Sequence, residues 1–167
     1  MELSVPVDER LIELALYSIG QPIHKSQIEL AINNIVKTTL SELNNRCKNP
    51  EKSVEFIRIA RECASLSGPI KLSSYQDILA KGRSLNSEIF GIELVNIIDQ
   101  IAEETQLKRQ TINTLMAITT PLTLYKVYDS SKSVAENNIV QEFYNYLSQI
   151  VSSNINLTAP PILRQAI

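Results

Sequence analysis

The stretch 25–47, KSQIELAINNIVKTTLSELNNRC, decides the fold class. Ile28, Ile32, Ile35, Leu40, Leu43 and Cys47 recur every three to five residues, and Ala31 and Val36 widen the same stripe. A 3.6-residue period gathers these positions on one side of a helix, whereas a half-buried strand would alternate. The spacing therefore predicts a long amphipathic helix over about 25–47.

The same period extends in both directions. Upstream, Leu11, Ile12, Leu14, Ala15, Leu16 and Ile19 form a first stripe closed by Gly20. Downstream, Asn49-Pro50-Glu51 reads as a cap with proline at the first helical position. It opens a third helix with Val54, Ile57, Ala60, Cys63 and Ala64 inward, stopped by Ser67-Gly68-Pro69. Residues 68–91 look broken: a short helix carrying Tyr75, Ile78 and Leu79 ends at Gly82, and a second turn holds Leu85, Ile89 and Phe90. A helix over about 92–105 buries Leu94, Val95, Ile98, Ile101 and Ala102, and Leu107 makes a corner. A helix over about 108–128 follows, which Pro121 should kink by removing one backbone donor. Asp129 to Ser133 reads as a loop, 134–152 as a last helix and 153–167 as an extended tail.

The chain has 167 residues, 44% of them apolar, 20% charged and 5% aromatic, with a formal charge of −2. A chain of this size buries about 70% of its unfolded surface, enough for one core. This composition excludes a disordered chain and a disulfide-dense mini-domain. No apolar run approaches 18 residues, so no membrane span is expected. The start, Met-Glu-Leu-Ser-Val-Pro, lacks the basic and apolar regions of a secretory signal, and a cytoplasmic location is expected. Cys47 and Cys63 read as small buried hydrophobes rather than a disulfide.

A weak internal echo appears at an offset of 84. Ile23, Ile28, Ile32, Leu40 and Leu43 correspond to Leu107, Ile112, Met116, Leu124 and Val127, and Thr39 to Thr123. The expected architecture is all-α, with six to eight helices in one domain over 1–152. Two helix-corner-helix halves, about 8–67 and 84–130, pack as one bundle with the last helix.

Ser87-Glu88-Ile89-Phe90-Gly91 before a helix, Ile101-Ala102 through Leu107 at the corner, and Leu115 through Thr120-Pro121-Leu122 resemble the bacterial YidB-like family, a domain family of unknown function. Some of its members sit beside OmpA-like domains. The resemblance covers about residues 8–130. It departs from the family's pattern in having little glycine between the halves and Thr105-Gln106 where the corner usually holds a glycine. It implies the helical fold and no catalytic residue.

The residues themselves supply little chemistry. His24 is the only histidine, so a hydrolytic triad would depend on it alone. One histidine and two distant cysteines do not make a zinc set, and adjacent Glu103 and Glu104 diverge on a helix. The four glycines are dispersed, so no loop cradles a phosphate. No catalytic residue, metal ligand or cofactor is assigned. Ile101 through Met116 resembles a helix-turn-helix, in which Lys108, Arg109, Gln110, Asn113 and Thr114 would face a major groove. The charge balance, with Glu103 and Glu104 beside this face, weighs against nucleic acid. Phe143, Tyr144, Tyr146 and Leu147 form a second candidate face, for a protein partner. The sequence reading is a non-catalytic protein-interaction or scaffold protein, partnered by another protein or by itself, with a helix-turn-helix regulator as the alternative.

Overall fold

The computed structural model describes residues 24–64, 75–132 and 138–155, together with Glu13. Its α-helices are α1 (Lys25–Arg46), α2 (Pro50–Glu62), α3 (Tyr75–Phe90), α4 (Leu94–Thr105), α5 (Arg109–Lys132) and α6 (Ile139–Ile155), with a 3-10 turn at Gly91–Glu93. No strand occurs among the described residues. The protein is all-α. The first predicted stripe at 11–19, and the tail beyond Ile155, lie outside the described residues.

Helix α1 buries Ile28, Ala31, Ile35, Thr39, Leu40 and Leu43, the stripe read from its spacing. Helix α2 begins as its sequence dictates. Asn49 accepts a 3.0 Å hydrogen bond from the Glu51 N–H, and Pro50 occupies the first turn, where its missing donor costs nothing. Its inward face is shifted from the expected one. Ser53, Phe56, Ile57 and Ala60 are buried, while Val54 and Ala64 are exposed.

Every other helix packs on α5, and α3 lies along it most extensively. From Thr111 to Leu124 every residue of α5 is buried except half-buried Asn113. A helix enclosed on all sides has no polar face, and α5 fills its polar positions with five threonines, Thr111, Thr114, Thr119, Thr120 and Thr123. The Thr123 hydroxyl donates to the Thr119 carbonyl one turn back at 2.8 Å, which is how a buried hydroxyl is satisfied without leaving its own helix.

Two expected breaks are absent. Gly82 does not end a helix; α3 runs through it without interruption. A Cβ at Gly82 would lie 1.7 Å from the Ala117 carbonyl oxygen. With a carbon–carbon bond of about 1.5 Å, the Gly82 Cα therefore stands within about 3.2 Å of that oxygen. The carbonyl is the one orphaned by Pro121, which lacks the N–H that residue 121 would donate four residues back. The glycine lets α3 close on the gap that proline opens, and the close carbon supplies a weak Cα–H···O contact. The second break, the loop expected over 129–133, is helix through Lys132, where Lys132 pairs with Asp129 at 3.1 Å and the Ser131 hydroxyl bonds back to Val127; Ser133 lies outside the described residues.

The last helix is described from Ile139 to Ile155, so residues 153–155 are helix rather than tail, and its expected start near 134 lies outside the described residues.

Candidate functional site

The residues proposed for a major groove flank the α4–α5 corner. Gln106 adopts φ 59°, the left-handed conformation that usually falls to glycine. Leu107 plugs the corner and is buried. Lys108, Arg109 and Gln110 are exposed, Asn113 is half-buried and Thr114 is buried. Arg109 is tied to Asp99 by a 2.7 Å ion pair. A recognition helix must offer one long face to a groove; α5 offers only its first turn, because five helices enclose the rest.

The aromatic face of α6 is also largely enclosed. Phe143 and Leu147 are fully buried, and Tyr144 and Tyr146 are half-buried against the core. The cause is position: α6 lies on α1, α2 and α5 together, so its i, i+4 apolar pair turns inward. Phe143 and Leu147 are therefore core residues, not a contact face.

Both cysteines are free and buried. Burial pushes each thiol up to about 11; the Ser53 hydrogen bond lowers Cys47 a little, and beside Cys63 the Glu62 carboxylate adds to the rise. The thiols are protonated at neutral pH and are poor nucleophiles. Cys63 borders a shallow cleft between α2 and α3, where Arg58 is occupied by Glu62 at 2.9 Å. His24 is exposed at the start of α1 and makes no capping bond through its side chain. Among the described residues, no three His, Cys, Asp or Glu side chains gather as a metal site, and no helix is long and apolar enough to cross a membrane.

The surface feature that stands out is one the periodicity misplaced. Gly91 takes φ +55°, and the 3-10 turn it begins rotates the chain before α4 starts. Ile92 is left 93% exposed, and Val95, expected inward, is 62% exposed. Leu94, Ile97 and Ile98 take the half-buried positions instead. On α4, Val95, Asp99, Ala102 and Glu103 stand at i, i+4, i+7 and i+8, one side of the helix. The ridge thus grades from bare aliphatic carbon at Ile92 and Val95 to carboxylate at Asp99 and Glu103.

A sequence signal for this ridge does exist in the charge order. Residues 84–107 hold five carboxylates, Glu88, Glu93, Asp99, Glu103 and Glu104, and no lysine, arginine or histidine. Of these, Asp99 pairs with Arg109. Glu104 accepts from the neutral amides of Asn34 and Gln100, and Glu93 from Asn96. No family model, no curated protein and no solved structure matches this chain.

Proposed function

We propose that the protein is a non-catalytic, cytoplasmic protein-interaction module whose contact surface is the outward ridge of the 3-10 turn and α4. The observation that carries this reading is the exposure of Ile92 and Val95 on adjoining turns. Hiding one Ile or Val side chain from water is worth about 1.5–3 kcal/mol. A well-packed domain that leaves two of them bare on one ridge has apolar surface for a partner to cover.

The proposal includes the internal duplication and the YidB-like resemblance. Helices α1 and α5 begin at Lys25 and Arg109, 84 residues apart, and the matched pairs Thr39/Thr123, Leu40/Leu124 and Leu43/Val127 are buried in both. These support two helix-corner-helix halves. Phe90-Gly91 and Pro121-Leu122, which carry the resemblance, have local work here: one shapes the turn before α4, the other opens the gap that Gly82 fills.

A photo-crosslinking residue placed at position 92, with one at exposed Glu51 on α2 as control, tests the reading in the native cell. Covalent protein adducts at 92 and not at 51 are expected. Equal labelling at both positions, or saturable turnover of a small molecule by the purified chain, overturns it.

A further inference from the structure

We draw no further inference here: the strongest candidate, the exposed apolar ridge that Ile92 and Val95 form on the 3-10 turn and α4, belongs to the surface already described, and nothing in the structure shows what covers it.

Discussion

Helices α1 and α5 share a register and differ in surroundings. Each runs for more than five turns, and matched positions such as Leu40 and Leu124 are buried in both. Yet α1 keeps a polar outer side with Glu29, Ser41 and Asn45 exposed, while α5 is enclosed from Thr111 to Leu124. The same pattern has been put to two uses. At the edge of the bundle an amphipathic stripe is sufficient. At its centre the side facing away from the stripe must also be compatible with burial, and α5 meets that with threonine, alanine and proline instead of charge. The enclosed helix also depends on its neighbours having room to approach it.

The largest expected effect breaks that dependence. In an exposed helix, Gly→Ala stabilises by about 0.5–1 kcal/mol. At Gly82 the new Cβ would meet the Ala117 backbone, so α3 and α5 must part. Gly82→Ala should cost at least about 3 kcal/mol, which lowers the melting temperature by roughly 10 °C in a chain of this length. Thermal unfolding followed by circular dichroism measures it. A neutral or stabilised variant would mean that α5 is not so closely covered and that the contrast with α1 is one of degree.

This contrast also marks what could be read from the sequence. The α1 stripe and the Asn49-Pro50 start of α2 were legible because they depend on local period and capping alone. Gly82 reads as a stop, since the residue that gives it meaning, Ala117, is 35 positions away. Val95 reads as inward because a period cannot register the rotation introduced by Gly91. Phe143 and Leu147 looked like a contact face because an apolar pair shows only that something covers it. Their actual cover is α1, α2 and α5, and only the packing shows that. The candidate ridge escapes the sequence for the complementary reason: Val95 fits the helical period well enough to read as core, and nothing in the period singles out Ile92.

The ends of the edge helices give the next test. Cys47 closes α1, donating its backbone N–H to the Leu43 carbonyl at 2.8 Å, and Cys63 closes α2. Burial raises each thiol from 9.0 to about 11. Between those values the folded chain holds protons that the unfolded chain has released, so stability falls as pH rises. The contribution is fully present below pH 9 and is lost through pH 11. The slope should reach about 1.4 kcal/mol per pH unit for each thiol. Urea unfolding across this window should show that slope, and a Cys47→Ala, Cys63→Ala variant should show a shallower one. An unchanged slope would place the alkaline sensitivity elsewhere.

Thr39 and Thr123 compare the two helices at one matched position. Both are fully buried. The Thr39 hydroxyl has no hydrogen-bond partner, whereas that of Thr123 donates to the Thr119 carbonyl. Replacement by valine keeps the branched shape and removes the hydroxyl. Thr39→Val should stabilise by about 1 kcal/mol, because an unsatisfied buried group is removed, and Thr123→Val should cost about 0.5–1 kcal/mol. Opposite signs in paired denaturation curves would tie the effect to the bonding of each hydroxyl, since Thr119 and Thr120 of the enclosed helix also lack a partner. Equal effects would mean that the two sites are energetically alike despite their different bonding.

The smallest effect concerns how the helices end. Helix α1 finishes on Arg46, the sign its carbonyl end favours, while α4, which leads into α5, finishes on Glu103 and Glu104. Glu103→Lys reverses one exposed charge in that last turn and should stabilise the isolated chain by about 0.3–1 kcal/mol. A thermal unfolding curve followed by circular dichroism measures the gain. A fall in stability would mean that Glu103 supports the corner itself, and that the acidity of α4 belongs to the way the chain enters its central helix.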